Sequence, residues 1–348
     1  MQITFLGATE TVTGSKYLLT HNNKRVLIDC GLFQGYKELR LRNWAKLPID
    51  PESIDAVLLT HAHIDHSGYI PLLVKNGFKG PIFATEATFD LCKILLPDSG
   101  HLQEEDAKRA NLYGYTKHKP ALPLYTRQDA LDALEQFDTV EFARIYPILD
   151  GFKVSWHRAG HILGAAMIMV EFDNKKCVFT GDLGRPNDPV MKPPVTIQET
   201  DYLVTESTYG NRLHEQTDPK ELLKTIINRT TKRGGTVLIP SFAVGRAQML
   251  LYELYLLKLN KDIPDIPIYL DSPMAIDATK LFYQHAKEHR LSKDIALEVC
   301  KIATYTNTTD ESKAIDNNPM PKVVISASGM MTGGRVLHHL RVFAPDAK

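Results

Sequence analysis

The ten residues from Leu59 to Gly68, LTHAHIDHSG, constrain this chain more than any other stretch. They continue an apolar run from Ala56 that reads as a strand buried on both faces, and they place His61, His63, Asp65 and His66 within six positions. A histidine-rich surface turn has no reason to sit at the end of a buried strand. Imidazole and carboxylate donors in this mix suit Zn²⁺, with Mn²⁺ or Fe as substitutes. If the strand of residues 56 to 61 continues, His61 and His63 share a face. In the turn beyond, Asp65 and His66 are available to a second ion beside the first.

Further ligands must then come from elsewhere in the chain, and two later segments have the right build. RAGHILGAA presents His161 and VFTGDLGR presents Asp182, each after a strand and each beside glycines. Gly160, Gly164, Gly181 and Gly184 would let backbone pass close to a crowded centre. Earlier, RVLIDCG ends a strand at Asp29. A buried carboxylate there would orient a ligand histidine or a metal-bound water, or else simply cap a turn.

The surrounding pattern is layered. Short apolar runs between turn signals, QITFLG, KYLLTH, RVLIDCG, AVLLTH and PIFAT, read as successive strands, with a helix over Tyr69 to Asn76. Thr88 to Gln136 reads as helical and charged, with EEDAKRANLYGYTKHK as a polar loop or helix in its middle. FKVSWHRAG, AAMIMVEF, KCVFTGD and TDYLVTES then return to strand character. After Glu206 the pattern lengthens: helices over about Pro219 to Lys232, Ala243 to Leu259 and Ala275 to His289 alternate with the strands GTVLIPS, IPIYLDS and KVVISAS. Such alternation implies βαβ units and a parallel sheet. The expected domains are 1–207 and 208–348.

Composition narrows the function classes. Lysine plus arginine and aspartate plus glutamate both total 41, so no global field holds a polyanion and any nucleic-acid binding must be local. Four cysteines without paired spacing fit neither a disulfide framework nor a zinc knuckle, which suggests a reducing cytoplasm. No signal-peptide pattern is present and no apolar run approaches the ~20 residues of a membrane span. The expected location is cytoplasmic.

The ordered set Asp29, His61-x-His63-x-Asp65-His66, His161 and Asp182 resembles the metallo-β-lactamase superfamily. That resemblance implies an αββα sandwich with two metal ions at one edge of its sheets, here two Zn²⁺. His61, His63 and His161 would hold the first ion, Asp65 and His66 the second, with Asp182 bridging. After YLVTEST, the segments PSFAVGRAQMLL, PIYLDSPMA and ISASGMMTGGRVLHHL look like the inserted β-CASP parallel α/β domain of RNA-processing nucleases. The opening LGATETVTGSKYLL and the segment GYTKHKPALPLYT are similar to the bacterial and archaeal relatives of the cleavage and polyadenylation endonuclease subunit, and less like ribonuclease J. The implied function is RNA phosphodiester hydrolysis, endonucleolytic with 5′-to-3′ exonuclease action left open. A dimetal-activated hydroxide would attack, single-stranded RNA would be gripped between the domains, and a homodimer is expected by analogy.

The second domain offers two candidate phosphate contacts. PSFAVGR, with Ser241 and Arg246, reads as strand, turn and helix start, where free backbone amides would take a phosphate. SASGMMTGGR repeats this with Ser328, Gly333, Gly334 and Arg335, whose guanidinium is a forked donor. The run Lys108 to Lys119 would line an RNA path, although such a run is usually a solvated face.

One departure stands against the pattern. The family's Ser-Ala-His general acid and a further metal-ligating histidine belong after the Gly-Gly-Arg helix, and the chain ends at Lys348 before either. This implies a sandwich incomplete at its C-terminus, with Glu206, the acidic partner of that histidine, left as an orphan. His338 and His339 lie on the Gly-Gly-Arg helix and take no catalytic part. The alternative function is a catalytically impaired RNA-binding or assembly subunit; ester or lactam hydrolysis would leave residues 208–348 without a purpose.

Overall fold

The structure, a computed structural model, describes residues 1–213, 217–331 and 333–346. The chain divides into two compact units, one of residues 1–187 with 193–208 and one of residues 188–192 with 209–348.

In the first unit, two sheets face each other. Strands β1 (Gln2–Phe5), β2 (Tyr17–His21), β3 (Lys24–Ile28), β4 (Ala56–Leu58), β5 (Ile82–Thr85) and β6 (Phe137–Val140) lie in that order, antiparallel from β1 to β3 and parallel from β3 to β6. The second sheet runs β7 (Ile145–Leu149), β8 (Phe152–Arg158), β9 (Ala166–Phe172), β10 (Lys175–Phe179) and β11 (Tyr202–Val204), with only β10 and β11 parallel neighbours. Val26, Ile28 and Leu58 of the first sheet meet Val154, Trp156, Ile168 and Phe179 of the second in one buried cluster. Leu27 points to the opposite face of β3 and is also buried, which is why this strand reads as a continuous apolar run.

Helices α1 (Lys37–Arg42), α2 (Ile64–Ser67), α3 (Ile70–Lys75), α4 (Glu86–Tyr113) and α5 (Arg127–Leu134) complete this unit, and α4 packs on β5 and β6. The helical stretch expected from Thr88 to Gln136 is thus two helices. Gly114 stops α4 in a left-handed conformation at φ 65°, and Thr126 restarts the chain with a reciprocal cap on Asp129. Strand β4 ends at Leu58, so His61 and His63 sit in a loop rather than on one strand face. Strands β6 and β7 were not anticipated, because FDTVEFARIYPIL has too little alternation to separate from its neighbours.

The second unit holds a parallel sheet in the order β12 (Thr236–Pro240), β15 (Lys322–Ser326), β13 (Ile268–Asp271) and β14 (Thr304–Tyr305). Its helices are α6 (Pro219–Lys232), α7 (Arg246–Leu259), α8 (Pro273–Gln284), α9 (Lys293–Lys301), α10 (Thr309–Asn317) and α11 (Val336–Phe343). Helix α7 begins three residues later than expected, where Gly245 at φ 79° turns the chain into it. Helix α8 begins earlier and ends earlier, capped by the Ser272 side chain. Helix α10 was missed despite a legible signal, the Thr308 and Glu311 capping box.

Candidate metal centre

Topology explains why the donors meet. Strands β3 and β4 are parallel, so Asp29 and the His61–His66 segment leave the first sheet at the same edge, and the Asp29 amide bonds the Leu58 carbonyl at 2.9 Å. Strands β8 and β10 both run antiparallel to β9, so His161 and Asp182 also emerge together. The Ala166 amide donates to the Thr60 carbonyl at 2.9 Å, joining the two edges. A Cβ on Gly184 would lie 1.9 Å from the Gly160 carbonyl oxygen, so only glycine lets the two ligand loops touch.

Four donor atoms, from His61, His63, His161 and Asp182, lie within 4.8 Å of one another. His63 Nδ1 is 3.2 Å from Nε2 of His61 and 3.2 Å from Nε2 of His161. Asp182 Oδ2 is 3.7 Å from His61 Nε2 and 3.4 Å from His161 Nε2. Donors about 2.0–2.1 Å from a tetrahedral ion are separated by about 3.4 Å, so the set fits a small divalent cation. A second group adjoins it: His66 Nε2 is 3.1 Å from Asp182 Oδ1 and 3.9 Å from Asp65 Oδ2.

The chemistry of the donors agrees. Burial, then the neighbouring imidazoles, pushes His61 well below the ordinary histidine range and His63 down to about 3, so both offer lone pairs. Burial opposes ionisation of Asp182, yet His61, His66 and His161 hold its carboxyl well below the usual range. His66 is raised against the effect of burial by the charge of Asp29 and the contact to Asp182. Burial raises Asp65.

Asp29 organises this group from behind. It is fully buried at φ 55°, accepting the Thr60 amide on Oδ1 at 2.8 Å. His66 Nδ1 donates to its Oδ2 at 2.7 Å, which leaves Nε2 to face Asp65 and Asp182. Thr60 Oγ1 donates to the same oxygen at 2.9 Å and receives His61 Nδ1 at 3.1 Å, which turns His61 Nε2 toward the cluster. Thr60 was not singled out from sequence; its only signal is its place in the Thr-His pair. Partners of this kind sustain ligand orientation. Asp29→Ala is expected to weaken divalent-metal binding by roughly ten- to hundredfold, read by competition with a chromophoric chelator. Wild-type affinity in that variant would remove Asp29 from the site.

Glu206 has backbone partners in this structure. Its Oε1 accepts the Leu183 amide at 3.0 Å and its own amide bonds Thr180 Oγ1 at 3.2 Å, so it braces the loop that carries Asp182.

The residues expected to take phosphate are placed differently. The Gly245 amide bonds Gln248 Oε1, the Arg246 amide bonds the Val244 carbonyl and the Ala247 amide bonds the Phe242 carbonyl, so these three amides are engaged within the unit. Ser241 is buried and donates to the Phe242 carbonyl, whereas the Arg246 side chain is exposed. Arg335 corrects the expectation of a forked phosphate donor. Its Nη1 donates to Asp271 Oδ1 at 2.5 Å and its Nη2 to the Asn307 carbonyl at 2.6 Å, so the fork is committed inside the unit. Gly334, at φ 78°, crosses close over Ala327; Gly333 faces open space, and Ser328 Oγ reaches its carbonyl at 3.4 Å. In the run from 108 to 119, Lys108 pairs with Glu105, and Arg109, Lys117, His118 and Lys119 are exposed.

Comparison with known proteins fits this geometry. Residues 11–223 match the model of the metallo-beta-lactamase superfamily, and residues 247–348 match the Beta-Casp domain. The chain belongs to the β-CASP group of the metallo-beta-lactamase superfamily. Among its β-CASP relatives is Ribonuclease TTHA0252 of Thermus thermophilus, 37% identical over 98% of this chain and 76% of that protein. Transcription termination factor FttA of Methanosarcina mazei is 30% identical over all of this chain and 55% of its own length. Cleavage and polyadenylation specificity factor 73 of Drosophila melanogaster is 31% identical over 96% of this chain and 47% of its own length. The chain thus spans about half the length of the last two. A crystal structure of a protein of unknown function from Enterococcus faecalis shares the fold, with a TM-score of 0.51 at 15% identity over 94% of this chain and 77% of that one.

Among the described residues, no helix is long and apolar enough to cross a membrane. Cys30, Cys92, Cys177 and Cys300 are all free thiols.

Proposed function

We propose that this chain is a zinc-dependent ribonuclease acting on single-stranded RNA in the cytoplasm. The observation that carries the reading is the convergence of His61, His63, His161 and Asp182, with His66 and Asp65 beside them. Relatives named as a ribonuclease and as a cleavage and polyadenylation factor support RNA as the substrate class.

His61, His63 and His161 would hold one ion, Asp65 and His66 a second, and Asp182 both; an all-nitrogen-and-oxygen donor set favours Zn²⁺, with Mn²⁺ or Fe as substitutes. Bound there, such ions supply Lewis acidity toward a phosphoryl oxygen and lower the pKa of water toward ~7. The protein's own part is orientation. Asp29 and Thr60 fix which nitrogen of His61 and of His66 faces inward, and Glu206 holds the Asp182 loop at Leu183. The exposed Arg246 is the residue of the second unit best suited to grip RNA backbone, in an endonucleolytic or 5′-to-3′ mode. A homodimer belongs to the same reading, and light scattering reads it directly.

The test is cleavage of a labelled single-stranded RNA by the full chain loaded with Zn²⁺ or Mn²⁺. Cleavage should vanish on chelation and fall at least about a hundredfold in His63→Ala. RNA binding that survives chelation with no turnover under any metal would instead favour a non-catalytic binding subunit. Hydrolysis of a chromogenic lactam without attack on RNA would overturn the substrate assignment.

A further inference from the structure

Behind the metal centre, the first unit contains a cationic cavity that its chemistry leaves unused. Lys16 is 2% exposed, and its Nζ donates to the Gly31 carbonyl. It also sits 4.8 Å from the Phe33 ring centroid and 4.7 Å from that of Tyr69. An ammonium has three donors, and this one has a single oxygen partner among the described residues. Burial pushes it down to about 8, the cost of holding a cation there without an anion.

Lys16 lines a cavity of about 170 Å³ together with Arg42 and Lys46, and none of the lining residues is acidic. Three cations around one small space without a carboxylate describe an anion site. Gly31, whose carbonyl accepts from Lys16, packs against the segment that carries Asp65: a Cβ on it would fall 1.6 Å from the Asp65 carbonyl oxygen.

The rim has the second half of a nucleic-acid surface. Segment 36–46, YKELRLRNWAK, carries four cations against the single acid Glu38. Trp44 is 58% exposed and Tyr36 81%. Scattered exposed aromatics are ordinary, but here Trp44 lies between the cavity residues Arg42 and Lys46, and its backbone is anchored. The buried Asn43 accepts the Phe33 amide and donates to the Phe33 carbonyl, both at 2.8 Å. The exposed Trp44 indole, flanked in sequence by the cavity residues Arg42 and Lys46, offers a face on which a base can stack while the adjacent phosphate is held.

We propose that segment 36–46 and the Lys16 cavity form a binding surface for single-stranded RNA, the cavity taking a backbone phosphate and Trp44 stacking a base. This rests on the reading that RNA is the substrate, and the experiment separates the two. Binding of a fluorescent single-stranded RNA is measured by anisotropy, across a salt series, on the full chain with metal chelated. Arg42→Glu/Lys46→Glu should flatten the slope of log affinity against log salt by about 0.7, the value for one lost phosphate contact on a single strand. Trp44→Ala should weaken binding at least about fivefold with the slope unchanged. All variants should retain wild-type metal stoichiometry, which verifies their fold, and Lys46→Glu alone serves if the double variant does not fold. Wild-type RNA binding together with unaltered affinity and slope in the variants overturns this proposal and leaves the substrate reading standing. A wild type that neither binds nor cleaves RNA brings down both.

Discussion

Asp182→Ala is expected to strip metal from both halves of the centre at once. Asp182 Oδ2 faces His61 and His161 while Oδ1 faces His66, so its two oxygens are shared between the donor groups. Removing it leaves three imidazoles without a carboxylate on one side and, on the other, His66 with Asp65 at 3.9 Å. Loss of a ligand should exceed the roughly ten- to hundredfold effect of losing an orienting partner, so affinity should fall by more than about a hundredfold. Elemental analysis of dialysed protein should drop from two ions to fewer than one, and any RNA cleavage should disappear with them. Retention of two ions at wild-type affinity would mean that the pairing seen around Asp182 is an ordinary buried ion cluster and not a ligand set.

The second large effect lies in the other unit, around a carboxylate that sequence reading passed over. Asp271, at the end of β13, is fully buried and accepts from Thr306 Oγ1 at 2.5 Å, Ser312 Oγ at 2.6 Å, Arg335 Nη1 at 2.5 Å and His339 Nε2 at 2.7 Å. His339 Nδ1 in turn meets Asp316 at 2.6 Å. One acid therefore ties the central sheet to α10, α11 and the loop after β14. Asp271→Ala would strand the Arg335 guanidinium without its counter-charge and leave His339 with Asp316 alone, and breaking a buried ion pair by removing one partner typically costs about 3–5 kcal/mol. Urea denaturation followed by circular dichroism reads it; a loss below about 1 kcal/mol would show that the network is dispensable to folding.

The same network predicts opposite pH limits. Burial raises the Asp271 carboxyl, but its bonds from His339, Ser312, Thr306 and Arg335 hold it well below the usual range. Its contribution is therefore present above about pH 4 and is lost as pH falls through the lowered folded value. His339 is raised, against burial, by Asp271 and Asp316. Its contribution is full below about pH 6.5 and fades as pH rises through the raised folded value. The stability gap between wild type and His339→Gln should accordingly be widest between those limits and narrow toward alkaline pH.

These cases show which parts were legible beforehand. The order Asp29, His61 to His66, His161, Asp182 could be read because each residue ends or follows a short apolar run, and that pattern is local. The four-stranded parallel sheet was readable through its strand and helix alternation, β14 excepted, a two-residue strand too short for any periodicity. Arg335 was misread for a physical reason. A Gly-Gly-Arg turn before a helix looks the same whether its guanidinium faces solvent or folds back, and only the placement of Asp271 sixty-four positions earlier chooses. The Gly245 amide before α7 is taken in a similar way, by Gln248 turning back on it.

By itself the sequence determined the kinds of donor available and the strand ends they follow, because ligand chemistry and β-strand patterning are written residue by residue. Which nitrogen of each histidine faces inward, which arginine stays free and where Lys16 is buried were decided only by tertiary structure. Those outcomes depend on hydrogen-bond partners and on desolvation, and both come from residues tens of positions away brought together at a sheet edge.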